Sequence, residues 1–98
     1  MKPDLAQKIE EKVKAVLQKH HVKRGGLFGS IVTGDFNNDS DIDLLIKAAG
    51  WNWSVKTSFK LKQELEDVLQ MPVDLVEYNA IKPLIKNSIL KQERRIYG

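Results

Sequence analysis

Residues 29–46 read GSIVTGDFNNDSDIDLLI, and the fold can be built outward from this stretch. Gly29-Ser30 follows the apolar pair Leu27-Phe28, so it is predicted to end a strand and to open a turn or a short helix. Residues 34–40 are mostly Gly, Asn, Asp and Ser, which favour turns. The DIDLLI run at 41–46 predicts a strand that begins with two aspartates on one face.

Amphipathic helices are predicted on either side of this stretch. The first covers residues 4–20 and is expected to be stopped by Gly25-Gly26. Ser54 is a candidate N-cap for a second helix that ends near Gln70, and a third is predicted over 80–96. Their stripes comprise, in chain order, Leu5, Ile9, Val13, Val16 and Leu17; Val55, Phe59, Leu65, Val68 and Leu69; and Ile81, Leu84, Ile85, Ser88 and Ile89.

A further short strand, VDLV at 73–76, follows Pro72. The element order is therefore α-β-α-β-α-β-α, an α+β fold in which helices flank a small sheet, and 98 residues fit a single domain, 1–98. A helix connects the strands at 41–46 and 73–76. Such a crossover makes the two strands parallel, so their N-terminal ends lie side by side.

Both of these strand starts carry acid. Asp41 and Asp43 lie about 6.5–7 Å apart on one face, and Asp74 can join them if it shares that face. Crowded carboxylates repel each other unless a cation compensates them, and Mg²⁺ takes carboxylates together with substrate phosphates. A pair of such ions can activate an attacking oxygen and neutralise a departing pyrophosphate. Taken alone, the Asp-x-Asp pattern is also common in solvent-facing strand residues.

Gly29-Ser30 is the candidate anion site. Glycine lets a phosphate approach the backbone, the serine hydroxyl adds a donor, and the first turn of a helix presents free N–H groups. A simple helix N-cap is the alternative interpretation.

Composition narrows the function classes. The chain has no cysteine, so metal ligands must be oxygen or histidine, and neither a membrane span nor a signal peptide is visible, which favours a cytoplasmic location. The net charge of +3 is spread along helices rather than concentrated on one face, which argues against a nucleic-acid partner. A core this small is compatible with assembly with a partner protein or a second copy.

The spacing of these residues resembles a known signature. The chain has Gly29-Ser30, then ten residues, then Asp41-Ile42-Asp43. This arrangement is similar to the motif of the DNA polymerase beta superfamily of nucleotidyltransferases. The whole stretch is especially similar to the minimal nucleotidyltransferase (MNT) group, whose third carboxylate corresponds to Asp74 in VDLV. The resemblance covers roughly residues 5–97.

The resemblance implies a nucleotidyltransferase core with a small mixed sheet. It implies that Asp41, Asp43 and Asp74 bind two Mg²⁺ ions, that Asp74 also helps to deprotonate the acceptor, and that Gly29 and Ser30 hold the triphosphate of ATP. Many MNT proteins are antitoxins paired with a HEPN-domain toxin, and they can transfer AMP to a tyrosine of that toxin. A HEPN-domain protein is therefore the expected partner.

Several points stay open at this stage. The group often has Arg where this chain has Thr33. This difference leaves open whether a phosphate contact is made from that side and how fast transfer is. The chain could also neutralise a toxin by contact alone, or act on a nucleic-acid or small-molecule hydroxyl. Trp51 and Trp53 fit core packing, a partner surface or base stacking.

Overall fold

The computed structural model describes residues 3–20, 22–37, 39–48 and 53–98. Its elements are, in chain order, α1 (Pro3–Lys19), β1 (Val22–Phe28), α2 (Ser30–Thr33), β2 (Ile42–Ala48), α3 (Val55–Leu69), β3 (Val73–Glu77), a 3₁₀ turn (Tyr78–Ala80), α4 (Pro83–Gln92) and β4 (Arg94–Tyr97). The α+β class is confirmed. Among the described residues, no helix is both long and apolar enough to cross a membrane.

The four strands form one mixed sheet in the order β3-β2-β1-β4. β2 and β3 are parallel, as the helical crossover predicted, and Asp43 lies opposite Asp74 in their register. β1 runs antiparallel to both β2 and β4. The start of β2 is tied to the approach to β3, because the Ile42 N–H donates to the Pro72 carbonyl at 2.9 Å.

The main core lies between one face of the sheet and helices α1 and α3. α1 contributes Val13 and Leu17, and α3 contributes Leu61, Leu65 and Leu69 at four-residue spacing. Each fully buried side chain of this size stabilises the fold by roughly 1.5–3 kcal/mol. The core therefore fixes α3 against the sheet and, through α3, the start of β3.

The opposite face of the sheet is covered more thinly. A small cluster of Leu45, Tyr78 and Ile81 packs there under α4. Glu93, at the end of α4, has a side chain only 5% exposed; it accepts a 2.7 Å hydrogen bond from Arg24 and another from the Tyr78 hydroxyl. This network holds the C-terminal end of α4 against β1.

The structure corrects two of the predicted boundaries. Gly25 and Gly26 do not stop a helix; they lie buried within β1, where a Cβ on Gly26 would collide with the Glu93 side chain. The last helix ends at Gln92 rather than near Ile96, because the following residues pair with β1 as strand β4. Strand β4 was not predicted.

The predicted stripe of the second helix was also wrong in part. Ser54 is its N-cap, as expected, and accepts a hydrogen bond from the Thr57 N–H at 3.2 Å. However, Val55 is 88% exposed and Phe59 58% exposed, because the buried face runs through Leu61 and its four-residue neighbours instead. With Val68, which is 39% exposed, three large apolar side chains are therefore left on the surface of α3.

Candidate active site

Two of the three predicted carboxylates lie on adjacent parallel strands in register. Asp43 is on β2 and Asp74 is opposite it on β3, so their side chains leave the same face of the sheet. Asp41 lies two residues before Asp43, immediately before β2 begins. The prediction that Asp74 shares the face of Asp43 is confirmed.

Asp43 is the central member of this group. Burial raises the pKa of its carboxyl above the ordinary value, and the nearby charges of Asp74 and Asp41 raise this pKa further. The negative charge on Asp43 is therefore unfavourable in the free protein and would be compensated by a bound cation.

α3 positions the start of β3. The Glu66 carboxylate accepts a 2.9 Å hydrogen bond from the Val73 N–H, directly beside Asp74. Leu65 and Leu69 on the same helix are buried in the core. Asp74 is therefore held by a rigid element, although its own side chain is exposed. Sequence reasoning did not identify Glu66.

Gly29 brings the end of β1 next to Asp43. Its backbone angles (φ 77°, ψ −149°) are open essentially only to glycine. A Cβ at this position would collide with Oδ2 of Asp43. The absence of a side chain on Gly29 thus allows the loop and the carboxylate to approach closely.

Gly29 also begins the short helix α2. It is the N-cap and Ser30 is the first helical residue, so the pair caps a helix as the alternative interpretation had it, with no side-chain capping hydrogen bond. The N–H groups of Val32 and Thr33 each donate to the Gly29 carbonyl at 3.0 Å. The N–H groups of Ser30 and Ile31 precede these bonds and have no acceptor within the helix itself. The first turn of α2 therefore starts directly after the residue that approaches Asp43.

The donor set suits a hard divalent cation. Asp41, Asp43 and Asp74 offer only carboxylate oxygens, and burial together with the charges of Asp74 and Asp41 raises the pKa of Asp43. Within the described residues, however, no group of three or more His, Asp or Glu is close enough to hold a metal ion by itself. A metal here would need further oxygen ligands, and Mg²⁺ characteristically takes them from substrate phosphates and water.

An open cleft of about 450 Å³ adjoins Asp74 between α3 and the edge strand β3. Its lining includes Trp53, Val55, Phe59 and Leu75, with Lys62 and Glu77 as charged neighbours. Trp53 thus belongs at least partly to an open surface, whereas Trp51 lies outside the described residues. The cleft was not predicted, because Val55 and Phe59 were assigned to the core. Val55 and Phe59 fall outside the four-residue spacing of Leu61, Leu65 and Leu69, and this could have indicated that they lie off the buried face.

Thr33 stands where the resembled group often has Arg. It is exposed, and its hydroxyl donates to Asp35 at 3.3 Å. It supplies no positive charge to the site.

Comparison with known proteins places this geometry in a family. The sequence profile described as polymerase beta, nucleotidyltransferase, matches residues 11–98. A protein of Methanocaldococcus jannaschii, named as a candidate protein adenylyltransferase, is 42% identical over 84 residues, covering 86% of this chain and 89% of that protein.

Solved structures show the same fold. A toxin–antitoxin crystal structure with AMP-PNP superposes with a TM-score of 0.79 at 26% identity, covering 91% of this chain and 73% of that chain. A tri-AMPylated Shewanella oneidensis HEPN toxin in complex with MNT antitoxin gives a TM-score of 0.72 at 24% identity, covering 95% of this chain and 72% of that chain. The predicted resemblance is confirmed, and the chain belongs to the polymerase beta nucleotidyltransferase family.

Proposed function

We propose that this nucleotidyltransferase moves AMP from ATP to a tyrosine hydroxyl of a HEPN-domain toxin and thereby acts as its antitoxin, in the cytoplasm. The observation that carries the proposal is the row formed by Asp74 on β3, Asp43 on β2 and Gly29, which directly follows β1. It is supported by the M. jannaschii relative and by the toxin–antitoxin structures, one with AMP-PNP and one with an AMPylated HEPN toxin.

Each residue of the row has a proposed role. Gly29 and Ser30 hold the triphosphate through the first-turn N–H groups and the serine hydroxyl. Asp41, Asp43 and Asp74 would bind Mg²⁺, which supplies charge neutralisation at the phosphates. The burial and charge that raise the pKa of Asp43 fit this role, because they make a cation beside it favourable.

Asp74 is the proposed proton acceptor. Its exposure lets an acceptor hydroxyl approach from outside the sheet, while Glu66 fixes the strand that carries it. The acceptor oxygen forms a bond to the α-phosphorus, the bond to the bridging oxygen breaks, and pyrophosphate leaves. The hydroxyl proton passes to the Asp74 carboxylate.

Neutralisation by contact alone is the second candidate. It is favoured by Leu84, which is 99% exposed on α4, and by Thr33, which adds no positive charge to the site. Surface apolar side chains of this kind serve binding without chemistry.

Transfer of labelled AMP separates the two candidates. Purified chain, ATP, Mg²⁺ and a candidate HEPN-domain protein are incubated, and a pull-down is run in parallel. The proposal predicts label on the acceptor with wild type, none with Asp43→Asn, and retained partner binding with both. Toxin neutralisation without any transfer by wild type would instead support the contact-only function.

A further inference from the structure

The sheet face that carries Asp43 and Asp74 also carries an aromatic side chain. Phe28, the last residue of β1, is paired with Asp43 in the antiparallel β1–β2 ladder. Directly paired residues project from the same face, with their Cβ atoms about 5 Å apart. Packing places the ring on this face independently, because Phe28 packs against the small cluster around Leu45 under α4. Phe28 therefore lies next to Asp43 and directly before Gly29.

The ring of Phe28 is only half-buried. Leu45, two residues after Asp43 on β2, is fully buried and belongs to the cluster that covers the ring. The cluster thus covers the side of the ring that points along the strands away from the carboxylates, and the exposed part of the ring lies on the side of Asp43. An open apolar surface beside convergent polar groups is typical of a site whose ligand has an apolar part and a charged part.

ATP at the proposed site has these two parts. Its phosphates would lie at Gly29-Ser30 and Asp43, and the acceptor would approach Asp74, on the strand at the other side of Asp43. The cleft between α3 and β3 opens on the opposite face, because Leu75, which lines it, packs against the main core. Phe28 is thus an apolar surface next to the phosphate position and away from the acceptor side.

We infer that Phe28 is a nucleoside-binding residue, whose exposed ring packs against the nucleoside of the ATP that Gly29 and Ser30 hold by its phosphates. The inference rests on the proposed function, from which it takes the position of the phosphates. It adds to the site an apolar contact that its carboxylates and backbone donors do not provide. Because an aromatic ring stacks on any base, this contact by itself does not select adenine.

The test compares ATP with inorganic tripolyphosphate, which has the phosphates but no nucleoside. Each is titrated calorimetrically, with Mg²⁺ and without acceptor, into wild type, Phe28→Leu and Phe28→Tyr. Leucine keeps an apolar contact with the cluster but loses the ring, so Phe28→Leu should weaken ATP binding about tenfold, the effect of losing one base–aromatic stack, and leave tripolyphosphate binding unchanged. Phe28→Tyr keeps the ring and should bind both compounds as wild type does.

Phe36→Leu is the matched control. Phe36 is also half-buried, but it packs against the main core on the other face of the sheet. Its variant should therefore bind ATP and tripolyphosphate as wild type does.

Equal weakening of ATP and tripolyphosphate binding in Phe28→Leu would overturn the inference, since the ring would then act only by supporting Asp43 or Gly29. Unchanged ATP binding in that variant would also overturn it, while transfer by wild type would leave the proposed function intact. An equal loss of ATP binding in Phe36→Leu would overturn it as well. If wild type binds neither compound, the proposed phosphate site fails and the inference fails with it.

Discussion

Replacing Gly29 by alanine should damage the site more than the fold. At φ 77° and ψ −149° an alanine is strained by about 2 kcal/mol. For a domain of this size, that strain lowers Tm by roughly 8–15 °C. The new Cβ would also meet Oδ2 of Asp43, so the carboxylate must move. Displacing a catalytic group by about 1 Å costs on the order of 100-fold in rate, and we expect AMP transfer to fall at least that far.

Gly34 provides the matched control. It also has a positive φ, of 93°, but nothing lies within 4 Å of a Cβ built on it. Gly34→Ala should therefore show backbone strain alone, about 1 kcal/mol and roughly 4–8 °C in Tm, with transfer retained. Both quantities come from thermal melts and label transfer on the two purified variants. Equal losses of transfer in the two variants would refute the claim that Gly29 matters through its approach to Asp43.

Three other predictions concern the row and its support. Because the folded pKa of Asp43 is raised, wild type should lose stability as pH rises through the window between the unfolded value of about 3.9 and that folded pKa. Asp43→Asn should remove this loss, so its Tm without ligand should exceed that of wild type at pH 7 and the difference should vanish below pH of about 3.9; a lower Tm at pH 7 would contradict this sign. Asp74→Asn should keep most of the joint stabilisation by ATP and Mg²⁺, seen as a melting shift, yet lose roughly two to four powers of ten in transfer; unchanged transfer would remove Asp74 as proton acceptor. Glu66→Ala should cost about 1.5–3 kcal/mol in urea unfolding, because the Val73 N–H loses a charged acceptor, and Glu66→Gln should recover most of it.

The central part of the fold was predictable because short-range patterns determine it. Alternation along 41–46 places Asp43 on one face, and a helical crossover makes β2 and β3 parallel, so the Asp43–Asp74 pairing followed from sequence. Gly29-Ser30 was identified by its spacing, but its close approach to Asp43 is a tertiary contact that no local pattern reports.

The missed features depend on contacts between residues distant in sequence. Arg94–Tyr97 forms β4 because β1 offers an edge to pair with, and the sequence RRIY has no strong strand pattern of its own. Gly25 and Gly26 belong to β1 because they pair with β2 and β4, and glycine fits there because Leu17 of α1 and Glu93 occupy the space of a Cβ. The exposure of Val55 and Phe59 follows from which side of α3 packs on the sheet, whereas the sequence pattern had placed both on one stripe with Leu65.

The mass of the acceptor protein tests the central claim most directly. A candidate HEPN-domain acceptor is incubated with ATP and Mg²⁺, together with either wild type or Asp43→Asn, and is then analysed by intact-mass and peptide mass spectrometry. The account predicts that wild type adds AMP to a tyrosine and that Asp43→Asn adds none, because Asp43 lies between Gly29 and Asp74. An equal gain in mass with both proteins would contradict the account, as would an unmodified acceptor that wild type nevertheless neutralises.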